Sequence, residues 1–151
     1  MIEQIESPDT KQIIARKILE GLHDWFEVDE SREKYISDCA NWIFLAAKEK
    51  NEYVGFLCLK ETGKETVELA VMGVQKDFHR KGLGRQLFDS AKKIAIKKGY
   101  SFMQVKTVQM GRYEEYDRTN LFYISCGFKE LEVFPLYWDE ANPCQIYIMA
   151  L

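Results

Sequence analysis

The sequence is poor in the residues that interrupt a fold and in the residues that hold a metal. Its 151 residues include only three prolines and two histidines. No stretch rich in proline, glycine or serine, no low-complexity tract and no internal repeat divides the chain, so residues 1–151 are predicted to form a single domain. No two of the four cysteines lie at Cys-x-x-Cys spacing, so no structural zinc site is expected.

Other absences exclude classes of partner. The net charge is -3, and the only basic clusters are lysine pairs at 92–93 and 97–98, which are typical of a solvated helix face. A nucleic-acid partner is therefore not expected. No apolar run approaches the ~20 residues that span a bilayer, and the start of the chain lacks the basic and apolar segments of a signal peptide. With cysteines set among apolar neighbours, these features predict a soluble cytoplasmic protein without a membrane partner.

Apolar periodicity predicts an alternation of strands and helices. The predicted strands cover residues 2–5, 42–47, 53–59, 66–74, 102–108, 128–136 and 144–151, and the predicted helices cover 9–22, 31–39, 82–98 and 116–126. Asp9 or Thr10 is predicted to cap the first helix, and Ser31 the second. The pattern predicts a mixed sheet with helices on its faces, and a parallel pair of strands where the longest helix crosses over.

The loop between the strand 66–74 and the longest helix has the composition of an anion site. Helix N-terminal amides have no partner within the helix and lie at the positive end of its dipole, so a phosphate suits both. Gly82 and Gly84 let the backbone approach a ligand, and His79, Arg80 and Arg85 add donors and positive charge. The segment lacks the Gly-Lys-Ser/Thr of a P-loop and the third glycine of a dinucleotide fingerprint.

Two motifs in this order resemble the GCN5-related N-acetyltransferases, the GNAT superfamily. Residues 79–84 resemble that family's motif A, Arg/Gln-x-x-Gly-x-Gly/Ala, with His79 where arginine or glutamine is usual. Residues 122–128, Phe-Tyr-Ile-Ser-Cys-Gly-Phe, are similar to its Phe/Leu-Tyr-x-x-x-Gly-Phe. The resemblance runs along nearly the full chain. It implies an α/β (α+β) GNAT fold, with a mixed, mostly antiparallel sheet of six to seven strands and about four helices.

The resemblance also implies a cofactor and the residues that bind it. Acetyl-CoA would lie in a splay between the fourth and fifth strands, with backbone groups of Met72 and Val74 on the pantetheine arm and with no metal. The loop would take the pyrophosphate through His79, Arg80, Lys81, Gly82, Leu83, Gly84 and Arg85. The asparagine that often precedes the motif tyrosine by seven residues is replaced by Tyr116, and Asn120 is out of register.

Transfer of an acetyl group to an amine requires a neutral amine, a donor for the oxyanion and a proton for the departing thiolate. The resemblance implies that Tyr123 is the general acid, although a core aromatic on an amphipathic helix would give the same pattern. Glu68 matches the glutamate that acts as base in histone-acetylating members. A water molecule as base, with Glu68 as a solvent-facing carboxylate, is the alternative.

The acceptor side is less specific. Trp25 and Phe26 fall between the first two helices, where they fit either a substrate wall or the packing of the helix pair, and Tyr116 is a further candidate. The sequence predicts an acetyltransferase for the amine of a small molecule or peptide. The alternatives are a protein N-terminal or lysine acetyltransferase and a non-catalytic acyl-CoA-binding regulator. Homodimers that pair through a sheet edge are common in the family.

Overall fold

The computed structural model describes residues 1–22 and 29–151. Within these ranges, seven strands and four α-helices follow one another as β1 (Ile2–Ile5), α1 (Pro8–Glu20), α2 (Asp29–Asp38), β2 (Ile43–Glu49), β3 (Glu52–Gly63), β4 (Thr66–Val74), α3 (Leu83–Lys97), β5 (Phe102–Val108), α4 (Glu114–Cys126), β6 (Lys129–Asp139) and β7 (Asn142–Ala150). None of the helices in these ranges has the length and apolarity needed to cross a membrane.

The strands join one sheet in the order β1-β2-β3-β4-β5-β7-β6. β4 and β5 pair in parallel, with Thr66 opposite Phe102 and Glu68 opposite Gln104, as the crossover through α3 requires. The pairs β1–β2, β2–β3, β5–β7 and β6–β7 are antiparallel. The mixed, mostly antiparallel sheet and its four helices confirm the predicted fold class.

The chain forms two compact units that interleave along the sequence. The first comprises residues 1–60 and 70–94, and the second comprises residues 61–69 and 95–151. β4 and α3 each contribute to both units, because their residues fall on either side of these limits. Organisation as one domain stays a prediction.

The cap of α1 differs from the predicted one. α1 begins at Pro8, and the Ser7 side chain accepts a hydrogen bond from the Thr10 N–H over 3.3 Å. Asp9 and Thr10 therefore lie in the first turn and are not the cap. Proline suits the first helical position because its fixed φ is helical and its missing N–H would have had no partner there.

Two other boundaries also correct the prediction. α2 begins at Asp29, so Ser31 lies inside the helix and does not cap it. β6 continues to Asp139, opposite Asn142, and the Asn142 side chain donates to the Asp139 carboxylate over 2.8 Å. This hairpin turns at residues 140–141, so residues 137–139 and 142–143 are strand although they lie outside the two predicted strands.

In the first unit, α1 packs closely against β4 because glycine occupies position 73. Ile18 and Leu22 are nearly inaccessible to solvent, and a Cβ added to Gly73 would lie 2.9 Å from Leu22 Cδ1 and 3.1 Å from Ile18 Cγ2. Phe44 and Phe56, stacked at 5.2 Å between ring centroids, belong to the same core. A side chain at position 73 would therefore push α1 away from the sheet.

In the second unit, a buried amide joins α4 to two strands. Asn120 is fully buried, and its Nδ2 donates to the Val108 carbonyl over 2.9 Å and to the Tyr116 carbonyl over 2.7 Å. Its Oδ1 accepts a hydrogen bond from the Tyr147 hydroxyl over 2.6 Å. The network fixes α4 to the end of β5 and to β7. In a dry interior each of these bonds is costly to lose, because water cannot replace it.

The close approach at Gly73 predicts that Gly73→Ala destabilises the protein by about 1–3 kcal/mol through overpacking. Gly63→Ala is the matched control, since a Cβ there meets no atom within 4 Å. Gly63→Ala should raise the free energy of unfolding by about 0.4–1 kcal/mol, because alanine restricts the unfolded chain. Urea unfolding measures both. A Gly73→Ala protein as stable as the control would contradict the packing argument.

The buried network predicts that Tyr147→Phe lowers the free energy of unfolding by about 1–3 kcal/mol, because Asn120 Oδ1 then lacks its donor. Tyr100→Phe removes the same atom from an exposed hydrogen bond of 2.7 Å to the Glu61 carboxylate, where water can substitute. Thermal and urea unfolding should therefore show a larger loss of stability for Tyr147→Phe than for Tyr100→Phe. Equal losses would show that burial of the hydrogen bond to Asn120 does not increase its contribution to stability.

Candidate active site

The loop from β4 to α3 leaves the sheet through a short 3-10 turn. The Gln75 N–H donates to the Val54 carbonyl over 2.8 Å, which holds the end of β4 against β3. Residues Lys76–Phe78 form the turn, and the chain then runs exposed through residues 79–82 into α3, which begins at Leu83. Leu83 is buried and anchors the first turn of the helix.

Two residues of this loop have left-handed backbone conformations. Arg80 has φ 63° and Gly82 has φ 79°. A Cβ at Gly82 would meet no atom within 4 Å, so the backbone angle, and not crowding within the protein, is what favours glycine here. The Gln86 N–H is bonded to the Gly82 carbonyl over 3.0 Å. The amides of the first turn precede this bond and belong to the set that an α-helix cannot satisfy internally.

The start of α3 carries an uncompensated positive charge. α1 has Asp9 in its first turn, and α4 has Glu114, Glu115 and Asp117, but the first turn of α3 contains no acidic residue in the described structure. Carboxylates at a helix start compensate its dipole, and α3 instead follows a segment with exposed basic side chains. This arrangement suits a bound anion.

The predicted pyrophosphate ligands do not all extend into solvent. The His79 ring lies back over the end of β4, where its Nε2 is 2.5 Å from the Val74 carbonyl oxygen and donates to it in the tautomer that carries a proton there. The Lys81 ammonium lies 5.1 Å from the centre of the Phe78 ring. Arg85 reaches Asp89, one turn along α3, over 3.3 Å. All three basic side chains are exposed, so an anion can recruit them.

Side chains alternate strictly along β4. Val67, Leu69, Val71 and Gly73 are buried, and the intervening residues are partly exposed. Glu68, Met72 and Val74 therefore share one face of the strand, as strand parity predicts. The predicted pantetheine contacts at Met72 and Val74 come at the end of the strand that leads into the loop.

Glu68 is held by a partner that the sequence reasoning missed. The Lys106 ammonium donates to Glu68 Oε1 over 2.6 Å, and the two side chains are only 20% and 12% exposed, respectively. Burial lowers the pKa of Lys106, but the hydrogen bond and charge of Glu68 outweigh it, so the pKa of Lys106 is raised. Lys106 falls on the partly exposed face of β5 together with Gln104, which is the available sequence signal.

Tyr123 lies in an aromatic cluster of the second unit. It is 6% exposed, and its ring packs edge-on against Phe128 at 5.8 Å and lies tilted to Tyr147 at 6.3 Å between centroids. The same Tyr147 bonds Asn120, one turn before Tyr123 on α4. Tyr123 is thus fixed by its neighbours, whether it acts as an acid or packs the core.

Of the three acceptor-side candidates, the structure describes Tyr116. Trp25 and Phe26 lie outside the described residues. Tyr116 is partly buried in the first turns of α4, its carbonyl accepts from Asn120, and its ring lies edge-on to Tyr113 at 5.9 Å. Asn120 is buried and points into the protein, and Tyr116 stands at the position where the family often has its pantetheine-binding asparagine.

The two described cavities lie away from the chemistry predicted above. The larger, about 740 Å³, lies between α1 and α2 and is lined by polar and charged residues such as Arg16 and Glu33. The smaller, about 320 Å³, lies on β6 beside Tyr137. Neither includes a loop residue, Glu68 or Tyr123. The candidate site is therefore an open surface at the loop and not one of these cavities.

No group of three or more potential metal ligands occurs in the described parts of the chain. The four cysteines are free and buried. Burial raises the pKa of the Cys39 and Cys144 thiols to about 11 and raises that of Cys58 well above its usual value. These thiols are therefore protonated, and poorly nucleophilic, near neutral pH.

Solved structures share this fold over nearly the whole chain. A protein described as a GNAT-family acetyltransferase from Desulfovibrio desulfuricans is 18% identical, with 99% of this chain and 98% of that one covered and a TM-score of 0.84. An aminoglycoside 6′-N-acetyltransferase from Enterococcus faecium is 17% identical, with coverages of 99% and 96% and a TM-score of 0.78. A GNAT acetyltransferase from Elizabethkingia anophelis with acetyl-CoA bound is 20% identical, with coverages of 88% and 90% and a TM-score of 0.69.

Sequence comparison gave a match to a family model, although a search of curated proteins gave no significant match. The family model of the acetyltransferase (GNAT) domain matches residues 40–130, which include β4, the loop, α3 and the Tyr123 motif. That match spans more than half of the sequence, and the chain therefore belongs to the GNAT acetyltransferase family.

Proposed function

We propose that this protein transfers an acetyl group from acetyl-CoA to a primary amine of a small molecule or peptide, by direct attack in a ternary complex. The observation that carries the proposal is the start of α3, where a basic, exposed loop leads into a helix with no carboxylate in its first turn. The Elizabethkingia relative of the same fold has acetyl-CoA bound, which supports the choice of ligand.

In this proposal the pyrophosphate binds the first-turn amides of α3, at Leu83, Gly84 and Arg85. The backbone of Met72 and Val74 would hold the pantetheine arm. The Val74 carbonyl already accepts from His79, but a carbonyl oxygen has two lone pairs and can accept a pantetheine N–H as well. In this geometry His79 would also fix that carbonyl, besides lying in the loop that takes the pyrophosphate.

The chemistry joins the amine nitrogen to the acetyl carbon and breaks the bond from that carbon to sulfur. One proton leaves the amine and one reaches the CoA thiolate, so the number of protons balances. We assign the first transfer to Glu68 and the second to Tyr123. The protonated state of Cys39, Cys58 and Cys144 supports direct transfer and argues against an acetyl-cysteine intermediate.

A small-molecule amine is the first acceptor class to test, because the Enterococcus relative of the same fold is an aminoglycoside acetyltransferase. Trp25, Phe26 and Tyr116 stay proposed acceptor-side residues, and a homodimer stays a proposed assembly. Buried free thiols support a reducing, cytoplasmic location. One alternative is a regulator that binds acyl-CoA without transfer, and release of CoA thiol with an amine panel distinguishes the two.

The loop assignment predicts that acetyl-CoA stabilises the protein against heat, by about 2.7 kcal/mol at a concentration 100 times Kd. Gly84→Glu should abolish this shift, because it places bulk and negative charge at the helix start. Gly63→Glu adds the same side chain at an open position and should keep the full shift. A wild-type melting temperature that ignores acetyl-CoA would refute the assignment.

The acid assignment predicts that Tyr123→Phe lowers kcat by roughly 10²–10⁴-fold, the effect of losing a positioned proton donor. The ring and its contacts with Phe128 and Tyr147 remain, so the acetyl-CoA thermal shift should not change. Tyr53→Phe, in the first unit, is the control for loss of a tyrosine hydroxyl. If Tyr123→Phe keeps near-normal kcat, water or another residue supplies the proton.

A further inference from the structure

We propose that Lys106 is a positioning residue for the reaction: it holds one oxygen of the Glu68 carboxylate and leaves the other to receive the proton of the amine. The inference rests on the proposed function, because it gives Glu68 the role of base. Its starting point is the 2.6 Å contact between Lys106 Nζ and Glu68 Oε1. Within the described part of the chain, Glu68 Oε2 has no hydrogen bond.

The strand register brings the two residues together. Glu68 pairs with Gln104 at the last recorded position of the parallel β4–β5 ladder, and Lys106 follows two residues later on β5. Side chains two residues apart share a face of a strand. Lys106 therefore reaches back along the same face to the carboxylate, and it does so where the ladder ends.

A third strand fixes the lysine. The Lys106 ammonium lies 5.5 Å from the centre of the Tyr137 ring on β6, a cation–π distance. Lysine is a flexible side chain, and a contact on each side of the ammonium restricts it to one geometry. The ion pair is thus a three-strand arrangement of Glu68, Lys106 and Tyr137 and not a loose surface contact.

Two further titratable groups interact with Lys106: Tyr137 on β6 and Cys144 on β7. Burial raises the pKa of the Cys144 thiol to about 11, so this thiol is protonated near neutral pH and adds no charge beside the pair.

The arrangement has a chemical consequence for a base. The contact stops the Glu68 carboxylate from rotating and keeps Oε2 in one direction, toward the position where a proton acceptor is needed. Removing the ammonium removes this constraint and leaves the carboxylate in place.

The experiment measures kcat and the KM of the amine with acetyl-CoA and whichever of spermidine, kanamycin or an N-terminal peptide turns over fastest. For Lys106→Met, kcat should fall by roughly 10-fold or more while KM changes little, because the carboxylate stays in place and loses only its fixed orientation. Lys106→Arg keeps the charge and a hydrogen-bond donor and should retain most of the wild-type kcat.

The matched control is the Glu68→Gln background. If Lys106 acts through Glu68, Lys106→Met should add no further loss of kcat to Glu68→Gln, which a double-mutant cycle measures. Melting temperatures and acetyl-CoA thermal shifts of each variant separate unfolding from altered chemistry.

Two results would overturn the inference while the proposed function stands: a near-normal kcat for Lys106→Met beside a lowered kcat for Glu68→Gln, or an equal loss from Lys106→Met in both backgrounds. A near-normal kcat for Glu68→Gln removes the base role and the inference with it. No CoA release with any of the three amines would refute the proposed function itself.

Discussion

The alternation of side chains along β4 is the constraint on which the rest of the structure depends. One face of the strand consists of small or apolar residues, ending at Gly73, which lets α1 lie directly on the sheet. The opposite face carries Glu68, Met72 and Val74 and is only partly buried. A slip of one residue in register would exchange the two faces, placing a carboxylate in the core and Gly73 in the site. Packing and chemistry are therefore fixed by the same strand.

The helices also differ in the charge of their first turns. α1 and α4 have acidic side chains in their first turns and need no further anion. α3 has none and follows the loop with left-handed residues at 80 and 82. Unlike α1 and α4, α3 thus has a first turn whose dipole no carboxylate compensates, next to the end of β4. Such an end is stabilised by whatever anion it binds, so folding stability and ligand occupancy should be linked.

Local sequence was sufficient to predict the order of elements, the loop and the helix that follows it. These features depend on apolar period, on glycine and on nearby basic residues, all of which a single sequence shows directly. The pairing of Glu68 with Lys106 could not be predicted, because it depends on the register between two strands separated by a helix. Asn120 carried a visible signal, a polar residue among the buried positions of α4, but its partner Tyr147 lies on a distant strand.

Cap and turn positions were the other misses, and they have a common cause. Ser7 and Asp9 are both good caps in isolation, and only the helical start of Pro8 decides between them. The hairpin of β6 and β7 turns at residues 140–141, within a longer stretch that the sequence pattern left between two strands. In both cases several positions within a few residues were compatible with the pattern, and the short-range hydrogen bonds of Ser7 with Thr10 and of Asn142 with Asp139 mark the position that the fold uses.

Because all four cysteines are buried, the native protein should react very little with thiol reagents. A chromogenic disulfide reagent added to the folded protein should find no accessible protein sulfur. Each molecule of chromophore released then corresponds to one molecule of CoA thiol. Once the chain unfolds, four sulfurs become reactive at once. The same reagent can therefore count turnovers in native buffer and follow unfolding in urea, with no label added to the protein.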